Sequence, residues 1–255
     1  MEKVILITND DGIYSPGIMA LFETMSELGK VFIVAPLIEQ SAVGHAITIS
    51  DPIKIKFIER NSSFKGYGVS GTPADCVKLA INVILDCKPD IVVSGINRGP
   101  NVGISVIYSG TVSAATEGTI LGIPSVAISL GSFTNPIWET AQYVAKIIVK
   151  KMLVEKVPKD VLLNINIPNL PLSRIKGFKI TKMGKSRFKE IFHKRTNPAG
   201  DVYYWLDGEL EIIGNSKGTD IDALRKGYVS ITPISYNLTN HNFMLKLKRW
   251  FFSKL

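Results

Sequence analysis

Cysteine is nearly absent: Cys76 and Cys87 are the only two in 255 residues, and no CxxC spacing joins them. This argues against a disulfide framework and against a cysteine-based zinc site. No apolar run reaches the roughly 18 residues of a membrane span, and no charged-then-apolar leader precedes the first apolar segment. The cytoplasm is the expected compartment, with no membrane partner. The sequence also lacks a GxxxxGK[ST] phosphate loop, an internal repeat and a low-complexity linker. No GxGxxG follows its first apolar run, which removes the dinucleotide-enzyme reading. What remains is ordinary soluble composition, 45% hydrophobic and 20% charged. That length allows one large α/β domain, or one domain with an appendage.

Acid is in short supply too. The net charge is +8, so an anionic partner is expected: nucleic acid, a phosphorylated small molecule or an anionic surface. The excess is clustered, in Lys182, Lys185, Arg187, Lys189, Lys194 and Arg195, and again in Lys246, Lys248, Arg249 and Lys254. A basic cluster is most often a solvated face, and charge alone does not select the partner.

Against this background the acidic pair near the N-terminus stands out. Val4-Ile5-Leu6-Ile7 reads as a buried parallel strand that runs straight into Thr8-Asn9-Asp10-Asp11-Gly12. Ligands of open α/β sheets bind outside the carboxyl ends of such strands. Two adjacent carboxylates there repel unless something neutralises them, and a hard cation such as Mg²⁺ or Mn²⁺ does so. The plainer alternative is a solvated turn, since Asn, Asp and Gly are all turn formers.

Helical spacing of Ile18, Leu21, Phe22, Met25 and Leu28 follows, stopped by Gly29, and Val31-Phe32-Ile33-Val34 is a second buried strand. This is one βαβ unit. Its closing loop carries Glu39, Gln40, Ser41 and His45 to the sheet edge that holds Asp10, within reach of the same site. Residues 47–58 alternate and predict a half-exposed hairpin. Thr72 and Pro73 start a helix over 74–85, in which Asp75 is read as a partner of the helix dipole rather than a catalytic group. Residues 89–97 form a third strand ending at Asn97. Ser109-Gly110-Thr111 then opens a helix whose N-terminus suits an anion, the alternative being ordinary capping by Ser109 or Thr111. Strands at 123–130 and 161–167 with a helix at 138–153 complete a doubly wound rhythm.

Beyond it the rhythm breaks into short strands at 176–183, 202–206 and 228–233. Phe188, Phe192, Tyr203, Tyr204 and Trp205 give this region aromatic faces. A basic terminal helix over 238–255 carries Phe243, Leu247, Trp250 and Phe251 on one side and is read as a packing helix rather than a membrane-surface one. The expected fold is α/β: a Rossmann-like, doubly wound, mostly parallel core over 1–180. A hairpin-rich extension with a C-terminal helix over 181–255 partly returns to that core.

Taken together these stretches resemble the SurE family of nucleoside-monophosphate phosphatases. The resemblance rests on Ile7-Thr8-Asn9-Asp10-Asp11-Gly12 with Pro16-Gly17, Val34-Ala35-Pro36, and Gly71-Thr72-Pro73-Ala74-Asp75-Cys76-Val77. It continues through Ser94-Gly95-Ile96-Asn97, Tyr108-Ser109-Gly110-Thr111-Val112, Leu163-Asn164-Ile165-Asn166-Ile167-Pro168, Thr219-Asp220 and Gly227-Tyr228-Val229-Ser230. It implies metal-dependent hydrolysis of nucleoside 5′-monophosphates, with 3′-monophosphates and polyphosphate as further candidate substrates. One Mg²⁺ or Mn²⁺ per subunit would be held by Asp10, Asp11, Ser41 and Asn97. Asn9 would join the two acids in catalysis, and Asn97, Ser109, Gly110 and Thr111 would border the phosphate. A homodimer or homotetramer is implied, with the extension exchanged between subunits, and stable nucleic-acid binding is not expected. The loop around Ser41 departs from the family pattern, in which many members carry an Arg- or Asn-rich run with Ser-Gly. A water is expected to attack phosphorus, because the Asp-Asp spacing is not the Asp-x-Asp-x-Thr of aspartyl-phosphate enzymes. His45 is read as a surface residue in preference to an acid for the leaving group.

Overall fold

The computed structural model describes residues 2–252. Continuous apolar runs become strands buried on both faces, and their alternate residues feed two cores. In β1 (Val4–Thr8), Ile5 and Ile7 enter one core and Leu6 the other. The same division holds in β2 (Lys30–Pro36), with Ile33 and Ala35 opposite Val34. The first core is closed by α1 (Pro16–Met25) and α5 (Trp138–Met152), which contribute Ile18, Leu21, Ala141 and Val144. The second is closed by α2 (Pro73–Leu79) and α4 (Gly110–Ile120), through Cys76, Val77 and Ala114. Fully burying one Leu or Ile stabilises by about 1.5–3 kcal/mol, so a register slip that exchanged the faces is strongly opposed.

The remaining strands are β3 (Ile55–Glu59), β4 (Lys65–Val69), β5 (Ile91–Arg98), β6 (Ser125–Leu130), β7 (Val161–Ile167), β8 (Phe178–Ile180), β9 (Ser186–Thr196), β10 (Val202–Ile212) and β11 (Val229–Ser235). Short helices α3 (Ser105–Tyr108) and α6 (Asp220–Arg225) and the terminal α7 (His241–Phe252) complete the set. The order in the nine-stranded sheet is β3-β4-β2-β1-β5-β6-β7-β11-β8. The run from β4 to β7 is parallel, whereas β3 and β11 pair antiparallel with β4 and β7. The expected α/β, doubly wound, mostly parallel core is therefore what the chain forms. The sheet order reverses beside β1, where β2 lies on one side and β5 on the other. That is the crevice position for a ligand in such folds. α1 sits close over β5: a Cβ on Gly17 would lie 2.0 Å from the Ile96 carbonyl oxygen, so only glycine fits there.

Three expectations need correction. The predicted hairpin over 47–58 lies later, in β3 and β4, because Pro52 offers no N–H for a ladder. Residues before it bond to helix side chains instead, as Thr48 does with Asp75. The helix predicted over 74–85 is α2 followed by a wider π-helical turn, Ala80–Ile84. The basic segment around Arg187 is a full strand, β9, paired with a β10 that extends past residue 206 to Ile212. Arg187 there pairs with Glu211 at 2.7 Å, so part of the charge is locally answered. This two-stranded hairpin stands apart from the main sheet and is exposed along nearly all its length. The terminal helix likewise leaves Trp250 and Phe251 67% exposed. Lys254 and the last turn expected for that helix lie outside the described residues. No described helix is long and apolar enough to cross a membrane.

Asp75 has a structural role. Its carboxylate accepts from the Thr72 backbone N–H at 2.9 Å and from the Thr48 hydroxyl at 2.6 Å, while the Thr72 hydroxyl accepts from the Asp75 N–H at 3.2 Å. This is a capping box extended by a third segment. Burial pushes the carboxyl up, but these hydrogen bonds outweigh it and hold the group below its ordinary value. A depressed folded-state value means that the contribution is present above the unfolded value, about pH 4, and is lost as pH falls through the folded one. Asp75→Asn should cost about 1–2 kcal/mol at pH 7. In urea unfolding, the gap to wild type should narrow as the pH is lowered to about 3.

Candidate active site

β1 ends where Asn9, Asp10 and Asp11 must turn the chain into α1. Asn9 closes that turn: its amide nitrogen donates to the Gly12 carbonyl at 3.0 Å and to the Ser15 hydroxyl at 2.7 Å. Ser15 in turn caps α1 by accepting from the Ile18 N–H at 3.3 Å. The Asn9 Oδ1 is left buried with no partner among the described residues. Asn9 thus shapes the floor on which both acids stand.

Asp10 is only 5% exposed and accepts a very short hydrogen bond from the Thr111 hydroxyl. Its carboxylate also lies against Gly110, where a Cβ would stand 2.9 Å from Oδ2 and 2.7 Å from the Asp10 Cβ. The first turn of α4 is therefore packed on this acid. Ser109 caps that helix by accepting from the Val112 N–H at 3.1 Å, which bears out the capping reading for Ser109. Thr111 is not the cap; its hydroxyl is given to Asp10.

Asp11 is half-buried, and its Oδ2 accepts from the backbone N–H of Arg98 at 3.3 Å. That bond joins the β1 turn to the end of β5, where the pairing with β6 shifts register between Ser94 and Asn97. Asn97 precedes Arg98, is half-buried, and donates from its amide nitrogen to the Gly99 carbonyl at 2.7 Å. Its amide oxygen accepts no hydrogen bond among the described residues.

The electrostatics follow from this crowding. Burial is the main force that pushes the Asp10 carboxyl above its ordinary value, opposed by the Thr111 hydroxyl. Burial, then the neighbouring Asp10 charge, pushes Asp11 up to about 6. Glu39 adds to the negative charge felt by both acids. Two desolvated carboxylates with a third acid nearby form a centre of negative charge that Arg98 answers only in part, through its backbone N–H and its charge on Asp11. Among the described residues no group of three or more His, Cys, Asp or Glu could hold a metal. The oxygens gathered at the edge are two carboxylates and one free amide oxygen, a hard donor set of the Mg²⁺ or Mn²⁺ kind rather than a zinc kind.

Ser41 stands differently from expectation. It is exposed, and its hydroxyl donates to Glu39 at 2.7 Å rather than to either aspartate. The loop that carries it is nonetheless tied to the site, because the Gln40 N–H donates to the Asp10 carbonyl at 2.8 Å. His45, four residues on, bonds to Glu117 at 2.8 Å.

Two lining residues were not singled out from the sequence. A cavity of about 120 Å³ beside the second acid is lined by Asp11, Ser15, Pro16, Gly17, Arg98 and Trp138. Arg98 follows Asn97 directly and was within reach of the strand-end argument. Trp138 comes from the start of α5, and nothing local marks it. A larger groove of about 580 Å³ lies at the other end of the strands, around Lys3 and Asp90. Size alone therefore points away from the acidic pair. The perturbed carboxylates and the sheet crevice favour the smaller cavity.

Comparison with known proteins identifies the family. Residues 5–190 match the family model described as "Survival protein SurE". The 5′-nucleotidase SurE of Heliobacterium modesticaldum is 44% identical over 247 residues, covering 96% of this chain and 91% of that protein. The 5′-nucleotidase SurE of Syntrophus aciditrophicus is 48% identical over 244 residues, covering 95% and 92%. The crystal structure of the SurE protein from Aquifex aeolicus superposes with a TM-score of 0.82 at 46% identity, covering 97% of this chain and 99% of that one. On sequence and fold, the chain belongs to the SurE family.

Proposed function

We propose that this protein is a 5′-nucleotidase that hydrolyses nucleoside 5′-monophosphates to nucleoside and inorganic phosphate. The observation that carries the reading is the desolvated Asp10–Asp11 pair, with Asp10 packed on the first turn of α4. Relatives that carry the name 5′-nucleotidase align over nearly the whole chain. Phosphomonoester hydrolysis needs charge neutralisation and in-line positioning more than covalent chemistry, and this edge is built for both.

One Mg²⁺ or Mn²⁺ per subunit would be held by Asp10, Asp11 and Asn97, with Ser41 completing the set by turning from Glu39. When bound, such a cation supplies Lewis-acid neutralisation of the phosphoryl oxygens. The rest is done by the chain. The Thr111 hydroxyl holds Asp10 in place, and Asn9 holds the turn beneath it. The N–H of Gly110, opening the first turn of α4, would face the developing charge on the non-bridging oxygens, with Ser109 and Thr111 beside it, while the Thr111 N–H and hydroxyl are both turned to the Asp10 carboxylate. A water oxygen attacks phosphorus opposite the ester oxygen and gives up a proton, the P–O bond breaks, and the nucleoside oxygen takes up a proton in exchange.

The finer reading places the protein in the cytoplasm as a homodimer or homotetramer. The β9–β10 hairpin and α7, with aromatic side chains such as Trp205 and Trp250 at 65% and 67% exposure, are the segments suited to exchange between subunits. In this reading residues 1–180 are the catalytic core and 181–255 the extension, from which β11 returns to the sheet.

A substrate panel tests the proposal. With Mn²⁺ present, phosphate release should be fastest from nucleoside 5′-monophosphates, with 3′-monophosphates and polyphosphate slower. A preference for polyphosphate or for a non-nucleoside ester above every 5′-monophosphate would overturn the substrate class.

A further inference from the structure

We infer that the His45–Glu117 hydrogen bond is the anchor of an active-site strap, making His45 a positioning residue that sets where Ser41 stands; this rests on the phosphatase reading above. The strap leaves the site at Gln40, whose N–H is bonded to the Asp10 carbonyl. It lands at Gly44, whose N–H donates to the Tyr108 carbonyl at 3.0 Å, immediately before Ser109 and the first turn of α4. Between these fixed points only residues 41–43 are free of such backbone bonds, and Ala42 takes a left-handed φ of 60°. Ser41 is therefore suspended between the acid it is proposed to assist and the helix proposed to hold phosphate.

The landing is secured residue by residue. The His45 Nε2 meets Glu117 Oε2 at 2.8 Å, the Thr72 hydroxyl donates to the Ala46 carbonyl at 2.7 Å, and the Thr48 hydroxyl bonds Asp75. Glu117 is 3% exposed and also meets Lys78 of α2 at 2.7 Å. Burial raises its carboxyl, and the His45 and Lys78 contacts more than reverse this. A buried carboxylate in α4 with one partner on α2 and one on the strap links the three segments around the site. Glu117 lies roughly 10 Å along α4 from Gly110, at 1.5 Å per residue. The His45 ring thus has its Nε2 engaged well away from the phosphate end, which opposes a role as acid to the leaving group.

The test uses His45→Ala and His45→Gln in the full chain; the glutamine amide can occupy the place of Nε2 and donate to Glu117, but cannot deliver a proton. Mn²⁺ binding is read from the spin-resonance signal of the free ion, and anchor closure from hydrogen exchange of the Gly44 amide without metal. In His45→Ala, the Mn²⁺ dissociation constant should rise about tenfold and Gly44 exchange should quicken similarly. Tm should stay within about 2 °C of wild type, nucleoside and p-nitrophenyl esters should lose activity alike, and His45→Gln should restore most of each property. Unchanged Mn²⁺ binding and Gly44 exchange would overturn the inference. So would a loss confined to the nucleoside ester that glutamine does not rescue, which is the signature of an acid. A fall in Tm in step with activity, again without rescue, would make His45 merely structural. Wild-type protein that neither binds Mn²⁺ nor releases phosphate overturns the phosphatase reading itself, while the metal-free Gly44 exchange still decides whether His45 is the anchor.

Discussion

Replacing Asp10 by Asn is expected to lower kcat/KM for a nucleoside 5′-monophosphate by about a thousandfold or more, close to 4 kcal/mol of lost transition-state stabilisation. The same change should leave the metal-free protein as stable as wild type, or more so. Asn has nearly the shape of Asp, and its carbonyl oxygen can still accept from the Thr111 hydroxyl. What it removes is a charge that burial disfavours and that raises the neighbouring Asp11. A carboxyl raised above its ordinary value when folded costs stability at pH 7, so its neutral replacement relieves a strain rather than creating one. Activity by phosphate release and stability by thermal unfolding in EDTA check the two halves together. Parallel loss of Tm and activity would make Asp10 a structural residue; activity near that of wild type would remove it from the chemistry.

Gly110→Ala tests the packing of α4 on the acid. The new methyl group would stand 2.7 Å from the Asp10 Cβ, 2.9 Å from its Oδ2 and 3.1 Å from the Pro73 Cγ. Asp10 cannot simply swing aside, because it is flanked by its own turn and held by Thr111. Either the carboxylate or the first turn of α4 must move. Overpacking of this kind costs about 1–3 kcal/mol, and a shift near 1 Å at a reacting centre costs about a hundredfold in rate. A drop in kcat/KM of that order, larger than the stability loss alone explains, is the expected result. Full activity would show that α4 does not set the position of Asp10.

Much of this site was legible in the sequence because the relevant signals are local. Val4-Ile5-Leu6-Ile7 running into Asn9-Asp10-Asp11-Gly12 states both the strand and the edge where ligands bind. Ser109-Gly110-Thr111 states a helix start, since a hydroxyl cap and a small residue are required there. The choice among hydroxyls was not local: Ser109 caps the helix while Thr111 reaches Asp10, a partner 101 positions away. Ser41 was placed on the right edge but not in its observed orientation, because Glu39 two residues earlier captures its hydroxyl. The strand β9 was hidden by its own composition. Lysine and arginine around Phe188 and Phe192, from Arg187 to Arg195, read as a solvated face, and only pairing with β10 reveals the strand. The contact of His45 with Glu117 spans 72 positions, and no spacing rule could have joined them.

The most direct measurement is phosphate release from a nucleoside 5′-monophosphate by the wild-type chain, first in EDTA and then with Mn²⁺ or Mg²⁺ added back. The account predicts that release is lost in EDTA and restored by either cation. Release that persists undiminished in EDTA, or that no cation elicits, would contradict the assignment of the Asp10–Asp11 edge as a metal-dependent hydrolytic centre.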